Sequence, residues 1–119
     1  MSSDEIELNR EHISERMHKE LRRGELSMLV LVALRAEHYG LSLKKKIVSM
    51  GIDIEEGTLY PLIRRLESYG LLQSEWREHG NRRRRYYKVS DDGTKTLNEL
   101  LIAWRKMADS LENFMEEKS

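Results

Sequence analysis

The run Gly57-Thr58-Leu59-Tyr60-Pro61-Leu62-Ile63-Arg64-Arg65-Leu66-Glu67 constrains this chain more than any other. Leu59, Leu62, Ile63 and Leu66 recur at the spacing that lines one face of an α-helix. The opposite face holds Gly57, Pro61, Arg64 and Ser68, flanked by Thr58, Tyr60 and Arg65. A helix buried on one side and small or cationic on the other can approach a polyanion closely. Pro61 is expected in or near the first turn, where its missing N–H costs least. Asp53 and Glu56 stand at or near the spacing of a capping box that would open this helix. Gly70 is its expected stop.

Downstream, Leu71–Trp76 and Arg85–Ser90 read as the two strands of a hairpin. Turn chemistry at His79-Gly80-Asn81 joins them, and Arg82, Arg83, Arg84 and Arg85 line the tip. Leu72 and Trp76 share a strand face, which points to core packing. Tyr86 and Tyr87 read as strand packing more readily than as base-stacking groups.

Upstream, residues 4–22 carry sparse apolar positions (Ile6, Ile13, Met17, Leu21) at helical spacing, and Gly24 is expected to end that segment. Residues 25–37 are apolar nearly all round, as a buried central helix should be. Tyr39-Gly40 is expected to end it. Ser42 would cap a short helix over 43–50, with Leu43, Ile47 and Val48 inward and Lys44, Lys45 and Lys46 outward. Residues 91–118 read as one long helix capped by Ser90 or Asp91. Its apolar positions alternate by steps near three and four, as in a heptad seam. The seam comprises Leu97, Leu100, Leu101, Trp104, Met107, Ala108, Leu111 and Phe114, with Met115 beyond.

The fold expected is therefore mainly α with a small β-hairpin (α+β). It is a winged helix-turn-helix over residues 24–90, with a helical extension at 1–23 and a dimerisation helix at 91–119. A chain of 119 residues, 35% of them charged, has a small core and commonly completes it by oligomerising.

The zero formal net charge hides a strong asymmetry. Residues 24–90 hold twelve basic and eight acidic side chains, while residues 1–23 hold five and six, and residues 91–119 four and seven. Phosphate affinity follows the local patch, which is densest between Arg64 and Lys88. There is no cysteine, so disulfide and thiolate chemistry are excluded. The four histidines show no ligand spacing, so no metal and no cofactor are expected. No nucleophile has a base partner, and no glycine loop would cradle a phosphate, so no enzymatic activity is expected. The longest apolar run, Met28–Leu34, is too short to span a bilayer. The acidic N-terminus has no secretory pattern, so a soluble, cytoplasmic protein is expected.

The motif at 57–67, with Tyr69-Gly70-Leu71-Leu72, Trp76, Arg83–Tyr87, Gly93 and the apolar helix from Leu26 to Tyr39-Gly40, resembles the PadR-type transcriptional regulators. The resemblance covers residues 24 to about 108, and the single C-terminal helix is similar to the smaller subgroup of that family. After Gly40 the chain reads Leu41-Ser42-Leu43-Lys44-Lys45-Lys46, where the family more often has an aromatic and an acidic residue. The resemblance implies a homodimer that represses transcription at an operator with dyad symmetry, and in many members release by a small molecule. It also implies a role for Trp104, since multidrug-binding members stack flat aromatic ligands on a tryptophan of the equivalent helix.

The expected partners are thus double-stranded DNA, a second copy of the chain and, as a candidate, a small aromatic effector. The DNA contacts would come from the 57–70 recognition helix (Thr58, Tyr60, Arg64, Arg65) and the 78–85 wing (Arg82, Arg83, Arg84, Arg85). Lys44 and Lys45 are further candidates, although a solvated face explains Lys44–Lys46 equally well. Trp104 is either seam packing or a ligand platform. The competing functional reading is a winged-helix protein–protein interaction module without operator specificity, for which four adjacent arginines have no evident use.

Overall fold

A computed structural model describes residues 2–117 of the chain. Four helices and three short strands follow in the order α1 (Ser3–Ala33), β1 (His38–Tyr39), α2 (Gly40–Ser49), α3 (Glu56–Ser68), β2 (Leu72–His79), β3 (Arg82–Val89) and α4 (Asp91–Glu116). The sheet is antiparallel with order β1-β3-β2.

The core lies where the second half of α1 meets α2 and α3. Val30, Leu31 and Leu34 are fully buried against Leu43, Ile47, Leu59 and Ile63. Leu62, Leu66, Leu72 and Leu97 close the edge under the hairpin. The expected apolar stripe of α3 is therefore its buried face.

The segments expected at 4–22 and 25–37 are one helix. Gly24 does not break it, because a mid-helix glycine costs only about 1 kcal/mol relative to alanine and good helix formers flank it. The helix then stops at Ala33, short of the expected Tyr39-Gly40. His38 and Tyr39 instead pair with Tyr87 and Tyr86 as a third strand that the hairpin reading did not contain. Burial at α2 also differs in detail, since Val48 is exposed.

Two helix starts differ from expectation. Ser42 lies inside α2 rather than at its cap. Its Oγ accepts from the Tyr39 N–H at 3.1 Å and donates to the Tyr39 carbonyl at 3.0 Å, which ties the N-cap residue down. The cap of α3 is Glu55, with no side-chain hydrogen bond, so neither Asp53 nor Glu56 makes the expected box. Pro61 sits beyond the first turn of α3. The carbonyl it leaves without a helical donor belongs to Gly57, an exposed position where water can supply one.

The strands are longer than expected and meet in a two-residue loop, Gly80-Asn81. Gly80 has φ of 64°, as a glycine-first hairpin loop requires. Ser90 caps α4, its Oγ accepting from the Gly93 N–H at 2.9 Å and donating to the Gly70 carbonyl at 2.7 Å. A Cβ on Gly93 would lie 2.0 Å from the Leu71 carbonyl oxygen, so only glycine lets α4 begin this close to the hairpin. The helix ends at Glu116, with Glu117 as its C-cap; Lys118 of the expected 91–118 span, and Met1 and Ser119 of the terminal segments, lie outside the described residues.

The fold is elongated, at 59 × 35 × 25 Å. Its radius of gyration of 18.4 Å exceeds the ~13–14 Å of a compact chain of this length. The first half of α1 and the second half of α4 project from the core and carry exposed apolar side chains. Among the described residues no helix is long and apolar enough to cross a membrane.

Candidate nucleic-acid interface

Burying Leu59, Leu62, Ile63 and Leu66 turns the other side of α3 outward. Thr58, Pro61, Arg64 and Arg65 are exposed on it. Tyr60 is half-buried instead. Its ring packs across Gly40 at the start of α2, where a Cβ would come within 2.9 Å of the ring. Lys45 is exposed, whereas Lys44 is half-buried and lies 3.7 Å from the Glu56 carboxylate. The first turn of α3 is thereby linked to α2.

The wing arginines separate by strand alternation. Arg82 and Arg84 lie on the sheet face that carries Arg77 and Tyr86. Arg83 and Arg85 lie on the face that carries Trp76, Ser74 and Tyr87. Arg84 is half-buried, its guanidinium 4.3 Å from the centre of the Tyr39 ring. Tyr39 in turn meets Tyr86 edge-on at 5.6 Å, and Arg77 lies 4.8 Å over Tyr86. Arg77 also bridges the Glu37 and Glu75 carboxylates. Its hydrogen bonds to Glu37 hold that carboxyl below the ordinary carboxylate range, and the two carboxylates push the guanidinium pKa up.

On the other face Arg83 lies 5.4 Å from the Trp76 ring, within cation–π range. Trp76, expected in the core, is 54% exposed. The core ends at Leu72, four residues earlier on the same face, and the ribbon extends past it into solvent. Arg85, expected at the exposed tip, is half-buried and bonded to Glu67 of α3 and Ser74 of β2. Burial pushes the Tyr87 hydroxyl pKa up, while the charges of Arg85 and Arg64 oppose the shift. Arg64 on α3 thus acts on the same flank of the ribbon as Arg85.

Arg64, Arg65, Arg82 and Arg83 are therefore exposed arginines of this edge that are in no ion pair among the described residues. Glu67, Ser74, Arg77 and Glu37 shape the edge and were missed by the sequence reading. For the strand residues a signal was present: a two-residue turn fixes the cross-strand register, which sets Ser74 opposite Tyr87 and Arg77 opposite Arg84, whereas Glu67 and Glu37 reach the ribbon from other segments and carry no such signal.

The seam residues divide as well. Leu97, expected at a dimer interface, is 2% exposed and belongs to the subunit's own core. Leu101 and Ala108 are half-buried, and Leu100 is marginally exposed. Trp104, Met107, Leu111 and Phe114 are exposed at 52–75%. Trp104 also edges a cleft of about 570 Å³ lined by Leu26, Met28, Leu29, Val32, Ile52 and Leu101. Arg22, Glu25 and Asp53 supply charge to that cleft. Among the described residues no three metal-ligating side chains come together.

Known proteins share the fold that carries this edge. A PadR family transcriptional regulator from Eggerthella lenta superposes with a TM-score of 0.82 at 44% identity, over 93% of this chain and 99% of that one. A transcriptional regulator of Mycobacterium tuberculosis is 38% identical over 72 residues, 60% of this chain and 67% of the relative. A PadR-like regulator from Bacillus cereus shares the fold at a TM-score of 0.72 and 24% identity, over 83% of this chain and 99% of that one. The PadR-like transcriptional regulator family itself matches residues 28–99, from the buried half of α1 through α3 and the hairpin to the start of α4. The chain belongs to that family and is a DNA-binding transcriptional regulator.

Proposed function

We propose that the protein is a homodimeric repressor that binds a dyad-symmetric operator, inserting α3 into the major groove and laying the wing on the flanking backbone. The observation that carries this reading is the exposed cationic edge formed by Arg64 and Arg65 on α3 with Arg82 and Arg83 on β3. Arg64 or Arg65 would read a guanine edge, a contact worth roughly 1–3 kcal/mol of discrimination. Thr58 at the start of α3, and the exposed Lys45 on α2, suit phosphate contacts. Arg82 and Arg83 suit phosphates or a narrow minor groove.

The exposed seam of α4 supports the dimer. Trp104, Met107, Leu111 and Phe114 project along a helix that leaves the core, and a second copy would cover them. Two α3 helices related by a dyad read half-sites about one duplex turn, roughly 34 Å, apart. The Trp104 cleft is the effector site in this reading. A flat aromatic ligand would stack on the indole, with cation–π attraction of roughly 0.5–2 kcal/mol where the ligand is cationic. Glu25 and Asp53 favour such a cation. A protein working on chromosomal DNA operates in the cytoplasm.

The test is a gel shift with the DNA upstream of the protein's own gene, against an unrelated duplex of equal length, at two salt concentrations. Specific retention at the higher salt supports the repressor. Loss of all binding there would favour the interaction-module reading. Titrating planar cationic dyes against tryptophan fluorescence tests the effector site. Quenching that disappears on Trp104→Phe supports it, and absence of quenching across a dye panel leaves Trp104 as dimer packing.

A further inference from the structure

We propose that Arg85 is a positioning residue, which locks the recognition helix to the wing through Glu67 and Ser74 and makes no contact with DNA. The proposal rests on the DNA-binding reading above and assigns the geometry that makes two-point binding possible.

Three elements meet at this point. Glu67 comes from the last turn of α3, Ser74 from β2 and Arg85 from β3. The Arg85 Nη2 donates to both Glu67 carboxylate oxygens, at 2.9 and 3.1 Å. The Arg85 Nε donates to Ser74 Oγ at 3.0 Å, and that hydroxyl donates to Glu67 Oε2. Each of the three residues is thus bonded to the other two. The Arg85 and Glu67 side chains are 38% and 25% exposed, so the pair is shielded more than an ordinary surface ion pair. The guanidinium also lies 5.7 Å from the rings of both Trp76 and Tyr87. The carboxylate already neutralises this guanidinium, so a phosphate gains less here than at Arg82 or Arg83, which are in no ion pair among the described residues.

The triangle sits where the core stops supporting the ribbon. Leu72 is buried, but on its strand face Trp76 is already exposed, and the strand residues from there to Arg83 are exposed. Beyond Leu72, Glu67 is the group of α3 that bonds to the ribbon. From Arg85 to Arg82 the strand extends three residues, about 10 Å. A 10° change in the ribbon's direction therefore moves Arg82 by roughly 2 Å, more than a hydrogen bond tolerates. Recognition helix and wing must reach one duplex together, so breaking the triangle weakens binding although every phosphate-facing cation is still present.

Electrostatics alone and positioning predict opposite signs for Glu67→Gln. Removing a negative charge beside DNA, and freeing an arginine, would tighten binding if charge decided. If positioning decides, the same change weakens it. The experiment measures affinity for the duplex upstream of the protein's own gene over a salt series. It compares wild type, E67Q, S74A, R85K, R85A and, as a phosphate-contact control, R83A. The expected result is a loss of several-fold or more for E67Q and R85A, with a slope of log affinity against log salt equal to wild type. R85K should also lose affinity, because an ammonium cannot span the carboxylate and the hydroxyl as a guanidinium fork does. S74A should lose less, having altered no charge. R83A should lower the slope by about 0.9. Thermal melts run on each variant confirm folding, and E67Q and S74A decide the matter even if R85A does not fold. Tighter or unchanged binding by E67Q, or a slope reduced by about one in R85A, would overturn the proposal. Wild-type protein that retains no duplex at any salt would instead overturn the DNA-binding reading itself.

Discussion

The same substitution, glycine to alanine, should have opposite effects at two helical positions of this chain. At Gly93 the added Cβ would lie 2.0 Å from the Leu71 carbonyl oxygen and 2.7 Å from the Val89 Cγ2. Carbon–oxygen contacts relax near 3.3 Å, so the start of α4 must retreat from the hairpin by roughly 1.3 Å. The Leu71 carbonyl cannot yield in its place, because it accepts the Ser90 N–H at 2.9 Å. Retreat also pulls on the Ser90 cap, whose bonds to Gly93 and Gly70 are both of ordinary length and at least half-buried. Overpacking costs about 1–3 kcal/mol and a weakened cap about 1 kcal/mol more. The helical preference of alanine returns about 1 kcal/mol. The net loss is therefore about 1–3 kcal/mol, or roughly 4–15 °C in melting temperature for a chain of this size. At Gly24 nothing lies within 4 Å of an added Cβ, and the helix-propensity gain of about 0.8–1 kcal/mol stands alone. Gly24→Ala should raise the melting temperature by a few degrees. The assay is thermal unfolding followed by far-UV circular dichroism at one fixed protomer concentration, since the midpoint of the dimer proposed above would depend on concentration. A Gly93→Ala protein that melts with wild type would refute the packing of α4 on Leu71. A lowered midpoint for Gly24→Ala would mean that another helix lies against α1 at that point.

Arg82→Ala with Arg83→Ala should weaken binding to all duplexes alike and reduce the salt slope by about 0.9 for each phosphate that is no longer neutralised; a gel-shift salt series measures it, and an unchanged slope would remove the wing tip from the interface. Leu111→Glu with Phe114→Glu should convert dimer to monomer in sedimentation velocity while leaving the core helices folded, because both side chains are exposed on the single chain; a dimer that survives would move the interface elsewhere. The His38 pKa is lowered, first by burial and then by the Lys46 charge. The unfolded chain therefore binds a proton at His38 that the folded chain resists. That contribution to stability is present above about pH 6.5 and declines as pH falls toward the depressed folded value. His38→Gln should show a shallower fall in melting temperature between pH 7.5 and 5.5 than wild type, and parallel curves would remove His38 as the cause.

The parts of this fold that were legible in the sequence are those where one element's own periodicity decides the answer. The apolar stripe of α3 is set by four residues at helical spacing, and its burial needs only a core to face. The long α4 follows from the same logic. What was not legible depends on contacts between distant segments. His38 and Tyr39 form a strand only because the edge of β3 is open beside them, and two residues carry no strand signal of their own. Trp76 has the composition of a core residue, but its exposure depends on how far the ribbon runs past Leu72. Gly24 and Pro61 are local breakers whose cost the surrounding helix tolerates.

The four consecutive arginines show why composition alone could not assign the site. As a sequence they are equivalent, and as a strand they alternate between two faces. The Gly80-Asn81 loop sets the register so that Arg85 opposes Trp76 and Arg84 opposes Arg77. On one face Arg85 meets Glu67, and on the other Arg84 meets the Tyr39 ring. Both inner arginines are thereby engaged with other elements of the subunit, while Arg82 and Arg83, nearer the turn, meet no carboxylate among the described residues, and Arg83 lies only over the exposed Trp76 ring of the ribbon itself. A one-residue slip would exchange every side chain between the faces, setting Arg84 toward α3 and Arg85 toward Tyr39. The charge count would be unchanged, yet the bonds that orient the wing would have to form anew. Register, more than the number of arginines, therefore determines which cations orient the ribbon and which remain available to phosphate.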